Sequence, residues 1–201
     1  MTANEAATAA APVDDHELVR RAQHGETEAC EELARRHRRS VFVLALQLTG
    51  SQDDALDISQ DALLRFFSKL NRFDSTRPVR PWLFTIVRNR ARDIWRRRKT
   101  RRAKPLISDG EEGFSYDIVD PTADPHQDLE STELRHRLWR ALGVLSESKR
   151  EILVLRDYHD LSYVEMADVL GIPTGTVMSR LHGARKALRD AYLEQQGGQG
   201  G

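Results

Sequence analysis

The chain has 201 residues, with 31 basic and 31 acidic side chains, so its net charge is zero and its length suits one large or two small domains. A single cysteine, Cys30, excludes an internal disulfide framework and fits a reducing compartment. No apolar run approaches the roughly 20 residues of a membrane-spanning helix, and the N-terminal TANEAATAAAPVDD lacks the basic start and apolar core of a secretory signal. The expectation is a soluble, cytoplasmic protein with no membrane insertion.

In chain order, residues 1–13 predict a disordered extension, and the glycine-rich 195–201 a disordered tail. Asp15 is placed to cap a helix that runs to His24 and ends at Gly25. A longer helix spans about Thr27 to Thr49 and closes at Gly50. Ser51 with Asp54 resembles a capping box and opens a third helix to about Leu70. Residues 71–78 read as a loop. Pro81, tolerated near a helix start, introduces a fourth helix to about Arg102. Periodicity then disappears while Pro, Gly, Asp and Glu accumulate, which predicts an extended linker over 103–126. Helical pattern resumes from about Gln127 to Leu145 and from Glu147 to Asp157.

The most informative stretch follows, Leu161 to Asp190. A short amphipathic helix, Tyr163 to Leu170, stops at Gly171. Pro173 and Thr174 then start a longer one, with Thr174 suited to cap it. This is the layout of a helix-turn-helix, whose second helix enters the DNA major groove. Val177, Leu181, Ala184 and Leu188 form its apolar stripe. Thr176, Ser179, His182, Gly183 and Lys186 lie opposite, flanked by Arg180 and Arg185, and their hydrogen-bonding or basic character suits base and phosphate contacts. A solvated helical hairpin would share the pattern.

The fold class expected is all-α: two small helical domains, 14–102 and 127–194, joined by a flexible acidic linker. Domains of this size have modest cores, to which binding partners would add stability. Charge supports the division. From Arg77 to Lys104 twelve Lys or Arg face a single acid, Asp93, whereas Pro105 to Glu133 holds nine Asp or Glu and no Lys or Arg.

Two surfaces carry chemistry. On the third helix, Ala55, Ile58, Ala62, Leu63, Phe66 and Leu70 face inward. Asp53, Asp57, Gln60, Leu64 and Phe67 lie on another side, either as a docking patch for a protein or with Leu64 and Phe67 packed on the second helix. On the fourth helix, Leu83, Ile86, Val87 and Ile94 make the apolar stripe. Arg88, Arg92, Arg96 and Lys99 form a basic ridge suited to a phosphate backbone. Trp82, Phe84 and Trp95 interleave with these charges, as binding of unstacked bases requires, although core packing of one or two of the rings stays open. Phosphate-binding loops, HExxH, Cys/His clusters and GxSxG are all lacking, so neither catalytic residues, nor a metal, nor a cofactor is expected.

Together these pieces resemble a bacterial RNA polymerase sigma factor of the extracytoplasmic-function group. LVRRAQHGETEACEELARRHRRSVFVLALQLTG, DDALDISQDALLRFF and RFDSTRPVRPWLFTIVRNRARDIWRRR are similar to sigma region 2. LWRALGVLSESKREILVLRDYHDLSYVEMADVLGIPTGTVMSRLHGARKAL is similar to region 4. The resemblance implies a transcription initiation factor, not an enzyme, that docks on core RNA polymerase through the clamp of the largest subunit and the flap of the second largest. The helix bearing Asp53, Asp57, Gln60, Asp61 and Leu64 would meet the clamp. Phe73 and Asp74, with Asn89, would capture a flipped base of the −10 element, and Arg80, Trp82, Arg88, Arg92 and Arg96 would hold the displaced strand. Thr174, Thr176, Ser179, Arg180, His182, Arg185 and Lys186 would read the −35 duplex. The linker would thread toward the active-site and RNA-exit path, where its acids either occupy a basic channel or merely tether. An anti-sigma protein is the implied regulator. Met178 and Gly183 depart from the family's usual basic residues, which puts the carried-over −35 specificity in doubt. A stand-alone helix-turn-helix regulator, acting without polymerase, is the alternative and would leave the fourth helix unexplained.

Overall fold

The structure, a computed structural model, describes residues 13–102 and 129–197. Among them no strand occurs. The helices are α1 (Asp15–Gln23), α2 (Thr27–Thr49), α3 (Gln52–Lys69), α4 (Val79–Arg102), α5 (Leu129–Val144), α6 (Glu147–Leu153), α7 (Tyr163–Leu170) and α8 (Thr174–Gly197). α1–α4 form one bundle and α5–α8 a second. The linker expected over 103–126 lies outside the described residues, as do nearly all of the N-terminal extension and part of the tail.

α2 is the axis of the first bundle. From Val41 to Thr49 every side chain but Phe42 is buried, the mark of a helix enclosed on all sides. Gly50 ends it at φ 68, a left-handed conformation that glycine adopts without a Cβ penalty. α4 then covers the exposed carbonyl end of α2. Trp95 Nε1 donates to Leu48 O (3.2 Å) and Arg98 Nη1 to Thr49 O (3.2 Å), placing a cation where the helix dipole is negative. Ser51 does cap α3 by accepting from Asp54 N (3.3 Å). The Asp54 carboxylate pairs with Arg98 (2.6 Å), so the reciprocal half of the box is not made.

Three local expectations are corrected. Asp14, not Asp15, stands at the cap position of α1 and makes no side-chain bond there. Asp15 binds Arg36 Nη1 (3.1 Å) and His37 Nε2 (2.7 Å), tying α1 to α2. Thr174 is the first residue of α8 rather than its cap, with the Pro173 carbonyl accepting from Thr176 N (2.9 Å). The apolar stripe of α4 runs Val79, Leu83, Phe84, Val87, Ala91, Trp95, leaving Ile86 and Ile94 at its margin.

In the second bundle α6 widens into a π turn, Val154–Tyr158, where the sequence predicts plain α-helix; His159 N–H reaches back to Val154 O at 3.1 Å. Ser162 and Glu165 cap α7 reciprocally, a capping box that the sequence reading passed over. Gly171 ends α7 at φ 64, as expected. Buried Arg150 closes α5 by donating to the carbonyls of Leu142 (3.0 Å), Gly143 (2.8 Å) and Leu145 (3.2 Å).

The bundles do not stand apart. α7 packs on α4 and α6 on α2, and the buried apolar side chains of both form one continuous cluster. Polar bonds cross the junction as well. Arg150 Nη1 donates to Leu48 O (3.1 Å), and His159, 3% exposed, donates from Nε2 to Gln47 Oε1 (2.9 Å) while its Nδ1 accepts from Arg80 (3.2 Å). Burial, with Arg80 adding to it, pulls the His159 imidazole down from 6.5 to about 3. The unfolded chain therefore takes up the extra proton between those values. This stabilisation is complete above pH ~6.5 and is lost as the pH falls toward 3. At about 1.4 kcal/mol per unit, lowering the pH from 7 to 5 should cost about 2 kcal/mol. A lower urea midpoint would report it, and His159→Gln should flatten the dependence over that interval.

Candidate nucleic-acid interface

The loop between α3 and α4 is held from beneath. Gln23 Nε2 donates to Leu70 O (2.9 Å) and Phe73 O (2.7 Å), and His16 Nδ1 to Ser75 O (2.5 Å). α1 thus fixes a loop that would otherwise have few contacts. Phe73 packs edge-on against Phe66 (5.7 Å) and Trp82 (5.7 Å), and Trp82 against Phe66 (5.4 Å). This aromatic floor opens into a cleft of about 350 Å³ lined by Lys69, Arg72, Phe73, Asp74, Arg77 and Trp82. Asp74 Oδ1 accepts from Thr76 N (2.9 Å) and Oγ1 (2.7 Å), and these bonds hold the carboxyl below the usual aspartate range. Asp74 is thus fixed as an acceptor at the rim of a cleft ringed with cations. Lys69, Arg72 and Arg77 are additions to the sequence-derived set; their positions on either side of Phe73 and Asp74 are the signal that could have found them.

Asn89 is not in that cleft. It lies exposed in an adjoining one of about 200 Å³ with Arg65, Lys69, Ile86, Arg90 and Asp93. Lys69 is shared by the two. Arg92, Arg96 and Lys99 form an exposed ridge on α4. Its expected first member, Arg88, is buried: Nε donates to Glu151 Oε1 (2.8 Å) and Nη1 to Val169 O (3.2 Å), both in the second bundle. Arg80 is half-buried, with its guanidinium 5.1 Å from the Phe84 ring centre. Of the three rings offered for stacking, Trp82 lines the Phe73–Asp74 cleft, and Trp95 shows only an edge to a smaller hollow with Arg92, Ser146, Glu147, Ser148 and Glu151. Phe84 and Trp95 belong to the core at 0% and 7% exposure.

α8 turns its stripe inward as expected, with Val177, Leu181 and Ala184 buried and Leu188 half-buried. Thr174, Ser179, Arg180, His182, Arg185 and Lys186 are exposed and Thr176 partly so. Arg185 forms a two-pronged ion pair with Asp157 in the π turn, which fixes its side chain rather than leaving it free. Gly183 is exposed, and a Cβ there would meet nothing within 4 Å. Gly183→Ala should therefore stabilise the protein by about 1 kcal/mol, a rise in melting temperature of roughly 2–4 °C. Weaker duplex binding despite this gain would mark close backbone approach to DNA; no thermal gain would contradict an open helical site.

On α3, Asp53, Asp57, Gln60 and Leu64 are exposed, Leu64 at 71%. Leu56 adds a second apolar residue at 51%, and Phe67 packs against Phe66 (5.2 Å) instead of joining the patch. Asp61 is partly buried between Arg65 (2.9 Å) and Arg90 (2.7 Å) and links α3 to α4. No helix among the described residues is long and apolar enough to cross a membrane.

Residues 33–101 match the family model for Sigma-70 region 2, and residues 135–188 that for Sigma-70 region 4. The chain is 28% identical over 173 residues to the ECF RNA polymerase sigma factor SigW of Bacillus subtilis, covering 85% of this chain and 92% of that one. It is 30% identical over 177 residues to the RNA polymerase sigma factor NccH of Alcaligenes xylosoxydans, covering 88% and 94%. The fold superimposes on CnrH, solved in complex with the cytosolic domain of CnrY, with a TM-score of 0.66 and 27% identity over 90% of this chain and 97% of that one.

Proposed function

Because the chain belongs to the sigma-70 family of RNA polymerase sigma factors, in its extracytoplasmic-function group, we propose a division of labour among the surfaces just described. The protein is a transcription initiation factor that joins core RNA polymerase and directs it to promoters; the polymerase supplies the chemistry, and this chain is not an enzyme. The α3 face of Asp53, Asp57, Gln60 and Leu64, with Asp61 at its edge, meets the clamp of the largest subunit, and the second bundle meets the flap of the second largest. Both contacts and the promoter complex form in the cytoplasm. An anti-sigma protein controls access to them, in keeping with the second protein bound to CnrH.

The observation that carries this reading is the cleft at Phe73, Asp74 and Trp82. An unstacked base inserted there would lie against an aromatic wall while Lys69, Arg72 and Arg77 neutralise its flanking phosphates. Asp74, fixed as an acceptor, favours a base edge that offers an amino group, which cytosine, adenine and guanine do and thymine does not. Capturing that base offsets the cost of unstacking it and so favours the melted −10 duplex. Asn89 takes a neighbouring nucleotide in the adjoining cleft, and Arg92 and Arg96 hold the strand. α8 reads the −35 duplex with Thr176, Ser179, Arg180, His182, Arg185 and Lys186.

In vitro transcription with core polymerase on a randomised promoter library tests the whole proposal. A defined two-element consensus should emerge, and promoter DNA should be held tightly only when core enzyme is present. A protein that gave no start site, yet shifted duplex DNA alone, would be the stand-alone regulator instead.

A further inference from the structure

The outward side of α8 carries one large apolar side chain among polar and basic ones. Met178 is 55% exposed, although Val177 beside it and Leu181 one turn on are 0% and 2% exposed. The core therefore holds α8 without it. Thr174, Gly175, Ser179, Arg180, His182 and Gly183 are the exposed positions around it. An isolated apolar residue on a solvated surface needs no explanation. Met178, however, lies in the N-terminal part of the second helix of a helix-turn-helix, which begins at Thr174 and is the part that meets base edges in the major groove. The surface there is low as well: a Cβ added at Gly175 or Gly183 would meet nothing within 4 Å.

What this surface can read follows from what it lacks. Guanine is commonly read by Arg or Lys at O6 and N7. No cation occupies residues 174–179. Arg180, two residues beyond Met178, falls on the opposite flank by helical phase, and Arg185 is committed to Asp157. Apolar contact is what Met178 offers instead, and the only methyl group on a base edge in the major groove is that on C5 of thymine. A flexible, polarizable thioether chain can follow that methyl without a fixed geometry. We infer that Met178 reads the C5-methyl of a thymine in the −35 element, so that this factor prefers an A·T pair at the step where a lysine in the same place would select G·C. The inference deepens the duplex-reading role proposed for α8 and rests on it. Met178 is thereby a specificity-determining residue, and the preference it confers comes from shape and apolar contact rather than from charge.

The test uses the holoenzyme, assembled from the full chain and core polymerase. Promoters selected from a randomised library define the −35 element. Each of its thymines, on either strand, is then replaced in turn by deoxyuridine, which deletes the methyl and leaves every hydrogen-bonding group in place. At one position the replacement should weaken promoter binding about fourfold, as loss of a single buried methyl group predicts. Met178→Ala should bind the thymine and deoxyuridine forms of that site equally, with an unchanged melting temperature, since an exposed helical position accepts alanine. Met178→Lys should turn the preference at that base pair toward G·C. An element without any deoxyuridine-sensitive thymine overturns the inference and leaves the reading by α8 in place. So does a folded Met178→Ala holoenzyme with wild-type sensitivity, which would assign the methyl to another residue. Selected promoters with no −35 preference at all would overturn both the inference and the role of α8 as a reader.

Discussion

Trp82→Ala is expected to slow promoter opening by one to two orders of magnitude while leaving the affinity for core polymerase unchanged. Trp82 forms part of the cleft wall and locks Phe73 through edge contacts. Removing it deletes a stacking surface worth about 1–3 kcal/mol per base, which is a factor of roughly 10 to 100 in a rate or equilibrium. Permanganate footprinting of the −10 thymines on duplex promoters would read the loss. Trp82→Phe should recover much of it, since the smaller ring still offers a π face. A template with a pre-opened −10 bubble should also narrow the defect, because the duplex no longer has to be unpaired. Normal opening by Trp82→Ala would place base capture elsewhere and remove the main support for the assigned cleft.

The second large effect concerns stability. Arg150→Leu should destabilise the protein by about 3–5 kcal/mol, because the carbonyls of Leu142, Gly143 and Leu145 lose a buried charged donor together. Such a value lies at the top of the range for single substitutions, and at this chain length it corresponds to a fall of roughly 10 °C in melting temperature. Arg150→Lys keeps the charge but has a single nitrogen where three carbonyls at and just beyond the end of α5 need reaching, so it should recover only a minor part. Calorimetry decides the matter. A loss below about 1 kcal/mol, as for a surface site, would mean that water takes over these carbonyls and that Arg150 is no clasp.

The contrast between what the sequence foretold and what it did not follows the range of the interactions involved. α7 and the turn after it are governed by neighbours: an apolar period, a glycine able to reach φ 64, and a following proline. Their bounds were accordingly legible to the residue. The inward stripe of α8 was equally plain, since Val177, Leu181 and Ala184 repeat at helical spacing. On α4 the same reasoning went astray at the residues whose fate is decided from a distance. Arg88 looks like a ridge cation until Glu151, 63 positions later, meets it. Trp95 looks like a stacking ring until it is seen to cap the carbonyl end of α2. Gln47 carried a usable hint, a polar side chain inside the run VFVLALQLT, because a buried amide demands a partner. Its partner, His159, lies 112 residues away and no local rule points to it.

The candidate site divides along the same line. The acidic and apolar face of α3 and the outward face of α8 were readable because exposure follows from helical phase alone. The cleft needed more: Asp74 folds back on Thr76, α1 clamps the loop, and Asn89 falls in a neighbouring hollow. These depend on how three segments meet, and single-segment patterns are blind to that.

The carbonyl of Leu48 has a further implication. It accepts from Trp95 within its own bundle and from Arg150 across the junction, so loss of the second donor still leaves it with the first. Arg150 likewise keeps its acceptors within its own bundle, the carbonyls of Leu142, Gly143 and Leu145. Opening the junction here would take from Arg150 only the acceptor of its Nη1, which water can replace, and neither bundle would have to be rebuilt around Leu48.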